Sequence, residues 1–317
     1  MSDASPGRSC PLRYRYGARA LAHADEREAQ TLYVIGGLYG NVPALDTVEA
    51  MARCEEGPVT LCFNGDFNWF DVDDRQFVEI NRRVLGHDAI LGNVEAELGA
   101  SDDAAGCGCA YPAHVDAGIV ERSNAIHRQL ARTASRHPQI LQRLAGLPMV
   151  ARYRIADCRV GVVHGDADSL AGWNFDVSAL DTSASHAALS TAFDVAEVDL
   201  FASTHTCLPG MREVALGNGR RGAVVNNGAA GMPNFAGALY GLTTRIGRSP
   251  CRLPALREIR VAGAHVALLP IFYDTARWAA DFIVQWPPGS PAWISYHDRI
   301  ARGPDYRPEQ AIAAPTL

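Results

Sequence analysis

Several things are scarce or missing in this sequence, and each absence removes a class of function. Basic charge is not in excess: 35 acidic residues stand against 29 basic ones, giving a formal net charge of -6 and a pI near 5.9. That balance lacks the electrostatic footprint of a nucleic-acid-binding surface. No run approaches the ~18–20 consecutive apolar residues of a membrane span, and Met1 to Tyr16 lacks a charged end followed by an apolar stretch. The expectation is a cytoplasmic protein with neither a nucleic acid nor a membrane as partner. Paired CxxC spacing is missing as well: the eight cysteines (10, 54, 62, 107, 109, 158, 207 and 251) are scattered, as neither a zinc site nor a secreted disulfide scaffold would have them. Cys107 and Cys109 are the one close pair, within a stretch that reads as a flexible loop; two thiolates alone make a weak soft-metal site, so a plain loop is preferred. There is no internal repeat, no low-complexity block and no Ser/Gly/Pro linker between separate domains.

What is present is ordinary globular material, 48% hydrophobic and 20% charged, in a chain of 317 residues that can bury one large core or two modest ones. Residues 1–29 show no clear period and read as an arm or short helix. Thr31 to Ile35 is a compact apolar run, followed by a glycine-rich turn (Gly36, Gly37, Gly40) and then Val42, Leu45, Val48 and Met51 at helical spacing. Strand, turn and helix follow from this, with Asn41 as the cap. Val59 to Phe63 is a second strand ending at Gly65-Asp66. After a helical pattern from Asp73 (Phe77, Ile80, Val84), a short strand from Ala89 to Leu91 ends at Gly92-Asn93-Val94-Glu95. Alternation of this kind predicts an α/β layered sheet with parallel strands in the first half.

Residues 96–116, rich in Ala, Gly and Asp, read as an excursion able to wall a pocket, as does Asn68-Trp69-Phe70-Asp71. Helical patterns cover Val120 to Thr133 and Pro138 to Leu144. Beyond Leu147-Pro148 the chain becomes mainly strands: Met149 to Ile155, Arg159 to Val163, Val198 to Ala202, Met211 to Ala215, Ala223 to Val225, Ala238 to Thr244, Arg257 to Val261 and His265 to Phe272. The tail carries Trp278, Ala279, Phe282 and Ile283 at helical spacing, then Ser290-Pro291 as the opening of a last helix ended by Gly303-Pro304. Its aromatics, Trp286, Trp293 and Tyr296, read as packing.

Four apolar strands end at polar residues: Asp66, Asn93, His164 and His205. A lone histidine is usually structural. Oxygen and imidazole donors converging at one edge of a sheet, however, suit a divalent transition metal. Tyr39, Glu95, Asp166, Asp168 and Trp173-Asn174 are further polar candidates, and Arg122, Asn124, His127 and Arg128 are candidate phosphate-binding groups on one helix whose plainer reading is a solvated face.

These pieces, in this order, resemble the calcineurin-like metallophosphoesterase superfamily, especially its small bacterial phosphodiesterase-type members. The family pattern runs D-x-H-G-N, G-D, G-N-x-(D/E), H-G-D, G-H-x-H and N-P-G-S-x-G. The counterparts here are Gly37-Leu38-Tyr39-Gly40-Asn41, Gly65-Asp66, Gly92-Asn93-Val94-Glu95, His164-Gly165-Asp166, Ala202-Ser203-Thr204-His205 and Asn226-Asn227-Gly228-Ala229-Ala230-Gly231, spanning residues 31–273. The resemblance implies a four-layer α/β/β/α sandwich of two mixed sheets over 30–273, an arm at 1–29, and a C-terminal helical extension at 274–317.

In the family the first metal is held by the Asp and His of the first motif, the Asp of G-D and the last His of G-H-x-H. Gly37 and Tyr39 stand at the first two of those positions. The second metal takes the G-D Asp, the Asn, the fourth-motif His and the first His of G-H-x-H. Asp66, Asn93 and His164 are retained, Ser203 stands at the fourth position, and His205 is a replacement ligand if it swings across the first site. The resemblance thus implies one divalent transition metal (Mn, Fe or Zn) on Asp66, Asn93, His164 and His205. Tyr39 fills the vacated volume, contacts phosphate or Asp66, or ligates a ferric ion. Val94 stands where many relatives carry a proton-donating His, and Glu95 either moves protons or holds a loop. Asp66, His205, Tyr39 and Glu95 are the catalytic candidates.

The implied activity is metal-dependent hydrolysis of a small phosphorylated molecule, with homo-oligomerisation left open. Two alternatives remain: a metal-free binding or regulatory protein on the same scaffold, and a metalloenzyme with non-hydrolytic chemistry.

Overall fold

In a computed structural model, which describes residues 6–100, 105–182 and 185–312, two six-stranded mixed sheets stack face to face. The strands are β1 (Glu26–Glu28), β2 (Thr31–Ile35), β3 (Val59–Phe63), β4 (Asp88–Ala89), β5 (Val150–Ile155), β6 (Cys158–Val163), β7 (Leu200–Ser203), β8 (Pro209–Ala215), β9 (Arg221–Asn227), β10 (Gly241–Gly247), β11 (Arg257–Val261) and β12 (Ala264–Ile271). One sheet has the order β11-β12-β10-β2-β3-β4 and the other β1-β5-β6-β7-β9-β8. Within them β2, β3 and β4 run parallel, as do β6, β7 and β9.

The layering follows from alternation along the strands, because successive side chains point to opposite faces. Leu32 and Val34 of β2 meet Val160, Val162 and Val225 of the other sheet in a core between the sheets. Tyr33 and Ile35 face the other way, onto Leu45, Val48, Phe77 and Ile80 of the covering helices. On the outer face of the second sheet, Phe201 and Val224 pack against Leu189 and Phe193. Both sheets are thus covered by helices on their outer faces, the α/β/β/α arrangement expected.

Asn41 and Ser290 cap the helices where the sequence puts them, and Asp73 is a third cap. Asn41 accepts from Ala44 N ahead of Val42–Arg53, Asp73 from Arg75 N and Gln76 N ahead of Asp74–Val84, and Ser290 from Trp293 N ahead of Pro291–Arg302. Before residue 30, Glu26–Glu28 pairs in parallel with β5, and Ala18 and Leu21 join the outer core. After residue 273, Trp278, Phe282 and Trp286 pack into the core under the first sheet, while Tyr306 and Ala311 reach the core between the sheets. No helix among the described residues is long and apolar enough to cross a membrane.

Three details depart from expectation. Ser185–Ala196 is helical although no helix is predicted there, and Asn93 opens a short helix, Asn93–Leu98. Of the 96–116 excursion, residues 101–104 lie outside the described residues. Cys107 and Cys109 are buried in the part beyond them, where Asn124 Oδ1 accepts from Cys107 N and Asn93 Nδ2 donates to Cys107 O, so this stretch is packed into the fold rather than flexible.

Candidate metal centre

The parallel strands deliver their C-terminal ends to one edge, which is where an α/β sheet mounts chemistry. Asp66 follows β3, Asn93 follows β4, His164 follows β6, and His205 lies just beyond β7. The turns that carry them are tight. Gly65 has φ +94, and a Cβ there would meet Gly92 Cα at 2.4 Å and His164 Nδ1 at 2.6 Å; a Cβ on Gly92 would meet Asp66 Oδ1 at 2.3 Å. Only glycine at both positions lets the three strand ends approach each other. Asp66, His205, Tyr39 and Cys207 all hold positive φ, four of the eight non-glycine cases among the described residues. Backbone strain is thus concentrated around this edge.

Hydrogen bonding in the cluster raises a question of charge. His164 Nδ1 lies 2.8 Å from Asn64 O, and a carbonyl can only accept, so Nδ1 carries the proton. Asn93 Nδ2 donates to Cys107 O at 2.8 Å, which turns Asn93 Oδ1 toward His164. His164 Nε2 then faces Asn93 Oδ1 at 3.0 Å, His205 Nδ1 at 3.2 Å and Asp66 Oδ1 at 3.4 Å. Three settings satisfy this convergence: a second proton on His164 Nε2, a neutral His205 that carries its proton on Nδ1 and donates it to His164 Nε2, or a metal ion that takes all four lone pairs.

The donor set fits a metal. Oxygen and imidazole suit Mn, Fe or Zn. Bonds of about 2.0–2.1 Å in a tetrahedron place ligand atoms about 3.3–3.4 Å apart, close to the 3.0–3.4 Å that separate His164 Nε2 from the other three atoms, and the Asp66, His164 and His205 atoms all lie within 4.8 Å of one another. His205 Nε2, on the far side of its ring, is buried without a hydrogen-bond partner. All three ionisable members, Asp66, His164 and His205, are buried.

Without a metal, the titrations adjust to this geometry. Burial opposes charge on His164, but the adjoining Asp66 carboxylate outweighs it and raises the imidazole above its usual value. Burial likewise opposes charge on Asp66, and His164 outweighs it to hold the carboxyl low. Burial and the neighbouring His164 push His205 down to about 3, so it is neutral.

Glu95 lies behind this cluster. Its Oε2 accepts from Asp66 N (2.8 Å) and Gly92 N (3.2 Å), and its Oε1 from Phe67 N (3.0 Å), Asn68 N (3.2 Å) and Asn68 Nδ2 (3.3 Å). Both oxygens are committed to holding the β3 and β4 loops together, and Glu95 does not line the cleft over the cluster. Burial and the Asp66 carboxylate push it up to about 7 against the pull of those N–H groups. Asp166 also works on backbone: its oxygens accept from Asp168 N, Ser169 N, Asn174 N and Asn174 Nδ2. The orienting partner of His164 is Asn64 O, not Asp166.

The cleft above the cluster has a volume of about 190 Å³. Asp66, Asn93 and His205 reach its floor, and its walls are Tyr39, Trp69, Val94, Cys109, Tyr111, Trp173, Thr206, Cys207, Tyr296 and Arg299. Trp69 and the excursion, through Cys109 and Tyr111, wall it as the sequence suggests, and Trp173, singled out in sequence only as a polar candidate, joins them. Tyr296 and Arg299 are additions: the first is read as packing from sequence, and the second is not singled out at all. The cations proposed on the helix Ala117–Ala134 are elsewhere, with Arg122 bonded to Ser295, Asn124 to Pro6 O and Cys107 N, and His127 to Val94 O. None of the four lines the cleft. The cation among the described lining residues is Arg299, its Nη2 donating to Cys207 O at 2.6 Å and its Nε to Pro233 O at 3.2 Å.

Tyr39 points its hydroxyl at Cys207 Sγ, 2.9 Å away. Ser203 is still inside β7, paired with Asn226, and its hydroxyl is buried without a partner. His205, two residues later, is the side chain that meets His164, and it does so directly rather than by crossing another site.

No family model matches the sequence, and no curated protein matches it. Solved structures do. A metallophosphoesterase from Sphaerobacter thermophilus superposes with a TM-score of 0.54 at 19% identity, over 87% of this chain and all of that one. A hypothetical protein from Pyrococcus horikoshii OT3 superposes at 0.56 with 15% identity, over 87% of this chain and 99% of that one.

Proposed function

We propose, from the premise that this chain has the metallophosphoesterase fold, that it hydrolyses phosphate esters at a centre holding one metal ion rather than two. The observation that carries this reading is the convergence of Asp66 Oδ1, Asn93 Oδ1 and His205 Nδ1 on His164 Nε2 in a buried cluster. These four residues would hold one divalent transition metal, Mn, Fe or Zn. Such an ion, when bound, polarises a phosphoryl oxygen and brings the pKa of water to about 7.

The chain's own residues do the rest. Asp66 brings the negative charge, Asn64 O fixes the His164 tautomer so that Nε2 is free to bind, and Glu95 holds the Asp66 and Asn93 loops in register. Arg299, anchored through Nε and Nη2, presents its remaining N–H groups to a phosphate oxygen. The aromatic walls exclude water.

The register of G-H-x-H supports a single metal. Set on Thr204-His205-Thr206-Cys207, that motif puts His205 at the first histidine and Cys207 at the second, two residues on from the register taken from sequence. All four ligands of the second metal are then present. The first site is left with Gly37, Tyr39 and Cys207, and the latter two are bonded to each other. The substrate is a small phosphorylated molecule, in keeping with a cleft of about 190 Å³ and the negative net charge.

Titration of purified protein with Mn, Fe and Zn, coupled to phosphomonoester and phosphodiester assays, tests the reading. Turnover that depends on one equivalent of metal is expected, and no turnover with any of the metals sinks it. The Tyr39–Cys207 contact also favours a second reading, a binding protein that has lost catalysis. That protein would fold fully without metal, and Asp66→Ala would change no rate.

A further inference from the structure

The walls of the cleft bear on which ester fits the proposed hydrolase, and the choice of ester rests on that proposed function. Breaking a P–O bond leaves an electron pair on the departing oxygen, and an alkoxide leaves well only if a positioned acid protonates it, a contribution of about 10²–10⁴-fold. Among the described residues lining this cleft, no carboxylic acid or imidazole is available for that task outside the metal-binding cluster. The wall position next to Asn93 is Val94. Glu95, the next residue, faces away with both oxygens occupied by N–H groups. What remains are phenols, thiols, a threonine and a guanidinium, and burial raises Tyr111 and Tyr296 further above the ordinary phenol range.

The same walls favour a flat aromatic group. Trp69 and Tyr296 form an edge-on pair at 6.5 Å, Tyr111 and Trp173 a tilted pair at 6.0 Å, and the Trp173 ring stands 5.3 Å from His205. Side chains of this kind gain most from planar partners. Arg299 is the only cationic side chain among the described residues lining the cleft, which suits one phosphoryl group and not a chain of them.

We propose that this cleft takes phosphate esters of planar, weakly basic hydroxyl groups, that is, aryl phosphates, and discriminates against esters of aliphatic alcohols. In the reaction a water oxygen bonds to phosphorus, the P–O(aryl) bond breaks, and its electron pair leaves on the aryl oxide. The aryl oxide is stable as an anion and takes its proton from bulk water, while the attacking water gives its proton to solvent.

The test uses the metal-loaded full chain with 4-nitrophenyl phosphate, phenyl phosphate and glycerol phosphate. The expected kcat/KM falls steeply as the leaving group becomes more basic, with glycerol phosphate at least about 10²-fold below phenyl phosphate. Glycerol phosphate hydrolysed within about tenfold of phenyl phosphate overturns the inference and leaves the proposed function standing. If no ester is turned over with any metal, the proposed function falls, and binding then decides the inference. Phenylphosphonate should quench the fluorescence of the cleft tryptophans at a concentration at least about tenfold below methylphosphonate, with the preference lost in Trp173→Ala. Equal affinity of the two phosphonates, or a preference unchanged in that variant, overturns it.

Discussion

Glu95→Gln separates a residue that holds the site from one that carries out its chemistry. Five N–H groups point at the Glu95 carboxylate, four of them from backbone, divided two on Oε2 and three on Oε1. A glutamine keeps one oxygen and puts an NH2 donor where the other was, so at least two buried N–H groups lose their acceptor. Each such loss costs about 1–3 kcal/mol, giving about 2–6 kcal/mol, a large part of the roughly 5–15 kcal/mol by which a domain is stable. Urea unfolding should show a lower midpoint at unchanged slope, and metal affinity should fall with it, because the loops carrying Asp66 and Asn93 lose their common anchor. A Glu95→Gln protein within about 0.5 kcal/mol of wild type that has nevertheless lost turnover would refute this reasoning and make Glu95 a proton carrier.

Gly92→Ala places a Cβ 2.3 Å from Asp66 Oδ1 and 2.4 Å from Asp66 N, so a metal-competition assay should show at least about tenfold weaker binding; unchanged affinity would mean that the loops yield at little cost. In metal-free protein, His205 titrates near 3 in the fold against 6.5 in the unfolded chain. Its contribution to stability is therefore fully present above pH 6.5 and lost as pH falls toward 3, whereas His164, raised in the fold, stabilises at acid pH and loses that contribution as pH rises through its folded value. His205→Asn should accordingly flatten or reverse the acid loss of the urea midpoint between pH 7 and 5, and a variant as acid-sensitive as wild type contradicts the assignment. The triple change Gly37→Asp, Tyr39→His and Cys207→His restores the residue types of the first motif and of G-H-x-H. Gly37 has φ +64, which Asp tolerates better than most residues; bound metal should rise by one equivalent, and no rise means that the vacated site is closed by more than these side chains.

Much of the site is legible in the sequence because its signals are local. Val59 to Phe63 ending at Gly65-Asp66, and Arg159 to Val163 ending at His164, are short apolar runs broken by a polar residue, and such runs read as strands whose ends are open to chemistry. Asn41 and Ser290 announce their helices by capping chemistry, and the helix after Asp73 by the spacing of Phe77, Ile80 and Val84. The remainder depends on contacts distant in sequence. Tyr296 and Arg299 lie on Pro291–Arg302, and the Arg299 bond to Cys207 O spans 92 residues, a closeness that no periodicity encodes. The His205 register is ambiguous in sequence because a cysteine stands at one histidine position, leaving the motif a single anchor that fits two alignments; the contact with His164 favours the later one. Ser185–Ala196 escapes notice because its many alanines and serines give no sharp apolar stripe. Asp166 resembles a partner for His164 by proximity in sequence, but its oxygens close the turn over 166–174 instead.

The most direct test of a one-metal centre is elemental analysis of protein loaded with Mn, Fe or Zn, combined with anomalous diffraction to locate the ion. One equivalent at Asp66, Asn93, His164 and His205, lost on His164→Ala, is the predicted result. Two equivalents with the second ion between Tyr39 and Cys207, or no metal retained after loading, would contradict it.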